Sequence, residues 1–121
     1  MQMQKVAIAK ESKIELSSNE LLFLGVSGQP YRGSIYIAFD SLGESFDMLD
    51  FKRYLTSLRS QTFRSEDIAF EIYATIDTAI KSRNLGVVVE LSARGGIMQR
   101  ISYGVAFTPQ KRANIFQVGE A

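Results

Sequence analysis

The chain contains no cysteine and no histidine. The first absence excludes disulfides, thiolate nucleophiles and thiolate metal ligands. The second removes the imidazole base and the nitrogen ligands that zinc sites favour, so no metal site is expected. Any chemistry must come from carboxylates, Lys, Arg, Tyr, Ser or a bound cofactor. A charge field of one sign is missing as well. Fourteen basic residues against thirteen acidic ones give a net charge of +1, which offers little for nucleic-acid binding by counterion release. No apolar run reaches the roughly 18 residues of a membrane-spanning helix. The polar start Met1-Gln2-Met3-Gln4-Lys5 does not read as a secretory signal. A cytoplasmic protein without membrane or nucleic-acid partners is the expectation.

What is present is ordinary globular material. The 121 residues, 45% hydrophobic and 22% charged, suit one domain, 1–121, with a single modest core. There is no repeat, linker or low-complexity stretch. Leu21-Leu22-Phe23-Leu24-Gly25-Val26 is a short apolar run ended by Ser27-Gly28-Gln29-Pro30, the pattern of a buried strand. In 34–39, Ile35, Ile37 and Phe39 alternate on one face, which predicts a half-buried strand and, with the first run, a hairpin. Val6-Ala7-Ile8 and Ile14-Glu15-Leu16 are short strand candidates ahead of it.

The period then changes. Phe51, Tyr54, Leu55 and Leu58 predict an amphipathic helix, and Ile68, Ile72, Ile76 and Ala79-Ile80 the buried stripe of a second one. Ser65 is the expected N-cap, with Glu66 and Asp67 in the first turn. Lys81 and Arg83 are expected in the last turn, with Asn84-Leu85-Gly86 as the stop. Strands over 87–91 and 97–107, joined by a turn at Ala93-Arg94-Gly95-Gly96, complete an α+β order ββααββ. The polar tail from Thr108 is expected to fray. Two helices cover only one face of a four-stranded antiparallel sheet, and its free edges invite pairing with another copy.

Four segments resemble, in order and without gaps from about residue 24 to 97, motifs of the QueF-type nitrile reductases. Val26-Ser27-Gly28-Gln29-Pro30 is similar to the family's T-G-Q-P-D segment, and 47–59 (DMLDFKRYLTSLR) to E-S-K-S-L-K-L-Y-L-x-S-F-R. Ser65-Glu66-Asp67 stands where the family has H-E-D, and Ala93-Arg94-Gly95-Gly96-Ile97 resembles P-R-G-G-I. The family reduces the nitrile of 7-cyano-7-deazaguanine with NADPH in queuosine biosynthesis. Its cysteine forms a thioimide and an Asp handles protons. The resemblance therefore implies a tunnelling fold (T-fold): four-stranded sheets joined into a barrel with the helices outside, commonly as two stacked rings of identical subunits.

It also implies roles. Glu66 matches the glutamate that grips the N–C–N edge of a guanine- or pterin-like base. A carboxylate can accept two N–H bonds from such an edge. Asp47 replaces a family Glu that binds a ligand amide, and equally suits the N-cap of the first helix. Lys52 and Arg94 match positions implicated in holding the reduced dinucleotide's phosphates. Either could instead be solvated surface charge, and Arg94-Gly95-Gly96 also suits a plain hairpin turn. The catalytic positions have changed: Leu24 stands for the cysteine, Tyr31 for the Asp and Ser65 for the His, while Met48 and Leu49 replace a Ser and a Lys. With no nucleophile, nitrile reduction is not expected of this chain alone, and no cofactor is required, NADPH entering only through the resemblance.

Three functions follow from this pattern. The first is a base-binding relative without reductase activity, whose interface pocket holds a guanine, 7-deazaguanine or pterin. The second is a T-fold enzyme of 7-deazaguanine or pterin metabolism with altered chemistry, for which Lys52, Tyr54 and Glu66 have suitable side chains. The third is a ring-forming scaffold with a vestigial pocket. Fold alone does not choose among them.

Overall fold

A computed structural model of the chain describes residues 3–92 and 96–109. It is an α+β structure with two helices and antiparallel sheets. The elements are β1 (Lys5–Ala7), β2 (Lys13–Leu24), β3 (Pro30–Ser41), β4 (Glu44–Phe46), α1 (Met48–Ser57), α2 (Ile68–Ala79), β5 (Ser82–Ser92) and β6 (Met98–Gly104). Single 3₁₀ turns at Leu58–Ser60 and Ser65–Asp67 lie between the helices. The order in the chain is thus ββββααββ. It differs from the expected ββααββ because β1 and β4 form their own two-stranded ribbon.

The main sheet has the order β2-β3-β5-β6, antiparallel throughout. Ile14 and Leu16 of β2 pair with Phe39 and Ile37 of β3, and Leu21 and Phe23 pair with Gly33 and Tyr31. The register shifts between Ser18 and Leu21, where three steps along β2 face two along β3. This extra residue moves the inward positions of β2 from even to odd numbers. Ile35, Ile37 and Phe39 of β3, Val87, Val89 and Leu91 of β5, and Ile101 of β6 share the same face. Against them pack Phe51, Tyr54 and Leu55 of α1, Leu58, and Ile68, Ile72 and Ile76 of α2, all buried in one apolar cluster. The other face carries Glu15, Ser17, Ser34, Glu90 and Arg100, with Glu90 accepting from Arg100 Nε at 2.9 Å.

Both helices begin and end for reasons visible in their residues. Asp47 caps α1, its Oδ2 accepting the Asp50 N–H at 3.0 Å. The expected cap at Ser65 is not seen. Ser65 is buried as the first residue of the 3₁₀ turn, Arg64 precedes that turn, and α2 starts at Ile68 with no side-chain cap. The expected C-terminal signals also act elsewhere. Helix α2 ends at Ala79, Ile80 is already extended, and Lys81 starts the run into β5 with its N–H donating to Glu44 Oε1 at 2.9 Å. Lys81 and Arg83 are therefore not in a last helical turn. Asn84 lies inside β5 with φ 56°, beside the second register shift, and donates from Nδ2 to Asp40 Oδ2 at 2.8 Å. Asn tolerates the left-handed region equally well after a helix or in a bulge, so its signal was real and its location different. The final strand is Met98–Gly104, shorter than 97–107. Most of the turn at 93–96 and all but Thr108 and Pro109 of the tail from 108 lie outside the described residues.

The β1–β4 ribbon closes one end of the core. Phe46 is 2% exposed and packs on Phe39 and Phe51, with ring centroids 6.0 and 5.3 Å away. Met3 is buried beside them in the same cluster. Gln4 N–H donates to Asp50 Oδ2 and Asp47 N–H to Gln4 O, each at 3.0 Å, tying the N-terminal segment to the start of α1.

Candidate functional site

At the opposite end, the segment after α1 returns to β2. Leu24 N–H donates to Gln61 O at 3.0 Å and Phe63 N–H to Leu24 O at 2.9 Å, an isolated parallel bridge centred on Leu24 and Thr62. This brings Phe63, Arg64, Ser65 and Glu66 beside the β2–β3 turn. That turn is tight: Gly25 N–H donates to Gln29 O at 2.7 Å and Gly28 N–H to Gly25 O at 2.9 Å. Gly28 sits at φ 86°, a region glycine enters without steric cost. Gly25 is required for space, since a Cβ there would lie 2.7 Å from the Tyr31 ring and 2.9 Å from the Gln29 side-chain amide carbon.

The result is a cavity of about 250 Å³ lined by Gly25, Val26, Gln29, Tyr31, Phe63, Arg64, Ser65, Glu66 and Gln99. An aromatic group supports it. Phe23 and Tyr31 stack at 5.3 Å with rings 13° apart, and Phe63 meets Phe23 edge-on at 5.9 Å. Gln29 Nε2 donates to Tyr31 Oη at a long 3.4 Å, and Gln29 Oε1 is buried with no partner among the described residues. Such an atom is uncommon because desolvation without a partner costs about 1–3 kcal/mol. Around an aromatic base the cavity thus collects a carboxylate, two carboxamides, a phenol, a hydroxyl and a guanidinium. That set can hold the edge of a planar polar heterocycle by several hydrogen bonds at once. It offers no nucleophile stronger than a hydroxyl. Among the described lining residues, the groups fit for proton transfer are Glu66, which is exposed, and Tyr31.

The remaining expected site residues are not gathered here. Asp47 serves as the α1 cap at the other end of the molecule. Lys52 lines a separate cavity of about 200 Å³ with Glu20, Thr56 and Arg59, in the groove between β2 and α1. Arg94 lies outside the described residues. Leu24 does not line the Glu66 cavity, its side chain alternating away from that of Phe23, although its backbone positions Phe63. Tyr54 is buried in the core, its hydroxyl sharing a 3.2 Å hydrogen bond with Thr75 Oγ1. Burial pushes that hydroxyl up to about 12, further from the range of a useful acid or base. The combination of Lys52, Tyr54 and Glu66 in one reactive centre is therefore not formed within the chain.

Sequence reasoning missed Gln29 and Gln99 as lining residues. A signal for Gln99 exists: it occupies an inward position of β6, opposite Leu91 and in phase with Ile101 and Tyr103. A carboxamide on an apolar face needs a partner or a ligand. No protein-family model matches this chain, and no curated protein matches it.

Proposed function

We propose that the chain is a tunnelling-fold protein of the QueF type. On this reading it binds a guanine-, 7-deazaguanine- or pterin-like base at Glu66 and does not reduce nitriles. The observation that carries this reading is the cavity itself. Glu66, Gln29, Tyr31 and Gln99 come from three separate stretches of chain and converge over stacked aromatic rings. A base with an N–H edge would give Glu66 two charge-assisted bonds, and the carboxamides suit its carbonyl and ring nitrogens. The main-sheet order β2-β3-β5-β6, with both helices in the β3–β5 connection, supports the fold assignment.

Two outer strands, β2 and β6, leave edges on which copies of the chain would pair into a ring. Asp47 and Lys52 lie away from the cavity, so any part they take in binding a base or an NADPH-like cofactor depends on an adjoining copy closing it. Leu24 supplies only a hydrocarbon where thioimide chemistry needs a thiolate.

The test is calorimetric titration of 7-cyano-7-deazaguanine, guanine and a pterin into the native protein and Glu66→Gln. Binding by at least one, weakened in the variant by about 2–4 kcal/mol, is expected, since a donor replaces an acceptor at the base edge. No NADPH consumption with the nitrile is expected. Equal affinity in both forms would return Glu66 to a surface carboxylate. No binding at all would favour the scaffold reading.

A further inference from the structure

The cations outside the Glu66 cavity differ in how they are partnered. Lys5, Lys13, Arg53 and Arg100 each pair with a carboxylate, at Glu44, Asp40, Asp50 and Glu90 respectively. Arg32, Lys52 and Arg59 make no ion pair and no side-chain hydrogen bond among the described residues. Lys10, Lys81 and Arg83 are likewise without an ion pair among the described residues but stand apart, whereas Arg32, Lys52 and Arg59 come together. Arg32 and Arg59 line one cavity of about 380 Å³ together with Asn19, Ser34 and Ser92. Arg59 also lines the adjacent cavity of about 200 Å³ that contains Lys52. Glu20 borders both, so three cations face a single carboxylate.

The fold explains the convergence. The extra residue between Ser18 and Leu21 interrupts the β2–β3 pairing, and bulged strands bend and open the local surface. Asn19 and Glu20, the residues at this interruption, line the cavity. Arg59 comes from the 3₁₀ turn packed on β2, and Arg32 from β3, paired across to Ser92. Tyr31 and Arg32 are consecutive on β3 and point to opposite faces. Arg32 thus leaves β3 on the face opposite Tyr31, and the cationic cavity, at the β2 edge, shares no residue with the Glu66 cavity.

We propose that this groove binds a small molecule bearing more than one phosphate, gripped by Arg32 and Arg59. Guanidinium groups match phosphate oxygens in fork geometry. The neutral donors Asn19, Ser34 and Ser92 can complete an anion's hydrogen bonds. The inference is independent of base binding at Glu66.

The probe is inorganic pyrophosphate, titrated calorimetrically in a low-salt, phosphate-free buffer into the native protein, Arg32→Gln, Arg59→Gln and Arg53→Gln. Binding with a dissociation constant of about 0.1–1 mM is expected. A loss of about tenfold or more is expected in each of the first two variants, the scale of one charge-assisted contact. Arg53→Gln should stay within about twofold, because that arginine is already paired with Asp50. Amide chemical-shift changes in the unaltered protein give a second readout and should concentrate at Asn19, Ser34 and Ser92. Three results overturn the proposal: no heat at several-fold higher pyrophosphate, equal weakening in all three variants, or shift changes centred elsewhere.

Discussion

The two ends of the main sheet handle their polar groups in opposite ways. At the β1–β4 end, carboxylates are spent on the fold. Asp47 caps α1, Asp50 accepts from Gln4 N–H and lies 3.4 Å from Arg53 Nη1, and Glu44 accepts from Lys81 N–H and Lys5 Nζ. At the Gly25–Glu66 end, a carboxylate and two carboxamides border a cavity, and Gln29 Oε1 has no partner among the described residues; the other such atom, Ser82 Oγ, stands singly at the start of β5 near the β1–β4 end. Paired groups mark structure, whereas convergent unpaired ones mark a place where something else supplies the partner.

The contrast can be broken by mutation. The largest effect is expected at the structural end. Phe46→Ala empties the space between Phe39 and Phe51 and should cost about 3–5 kcal/mol in urea unfolding. It should leave any ligand affinity at Glu66 unchanged in the folded protein. Next comes Tyr54. Its folded pKa is raised to about 12 from 10.0 by burial, to which Glu71 adds and from which the Thr75 bond subtracts. A raised value contributes stability that is fully present below pH 10.0 and lost as pH rises through about 12. Alkaline unfolding should therefore remove on the order of 2–3 kcal/mol over this window, and Tyr54→Phe should flatten that part of the profile.

Smaller effects sharpen the same comparison. Asp47→Ala should lower stability by about 1 kcal/mol through the lost cap, while Glu66→Gln should change it by less than about 0.5 kcal/mol. Similar losses for the two, read by thermal melting, would erase the distinction between the ends. The smallest effect is at Glu44, whose pKa is held below the ordinary 4.5, chiefly by the Lys81 N–H and further by Lys5. A depressed value contributes stability above pH 4.5 that is lost as pH falls through the folded value. Hydrogen exchange of the Lys81 amide, corrected for intrinsic rate, should accelerate in acid, and Glu44→Gln should abolish that step.

Much of the architecture was readable because apolar periodicity survives in single elements. The stripes 51/54/55/58 and 68/72/76 and the alternation 35/37/39 all face the core where expected. The bulge in β2 was hidden because Ile14/Leu16 and Leu21/Phe23 are out of phase, which read as two strands when it is one strand with an inserted residue. The β1–β4 ribbon escaped because three-residue strands carry almost no pattern. Glu66 came to notice only through the resemblance, not through its own chemistry. Its neighbours Gln29 and Gln99 did not, because residues 37 and 33 positions away from Glu66 meet it only after the sheet is formed. Lys81 and Arg83 misled because cations after an apolar stripe look the same whether a helix continues or a strand begins.

The extra residue in β2 sits where it can be lost without turning the strand over. Ser18 and Leu21 pair with Ile35 and Gly33, two positions on the core-facing side of β3, so removing one residue between them would leave two steps facing two and keep Leu21 and Phe23 inward, with Phe23 still stacked on Tyr31. What would go is the bulge, and with it the break in pairing at Asn19 and Glu20 that borders the cationic cavity. A one-residue deletion here is therefore expected to spare the floor of the Glu66 cavity and to reshape only the surface beside Arg32 and Arg59.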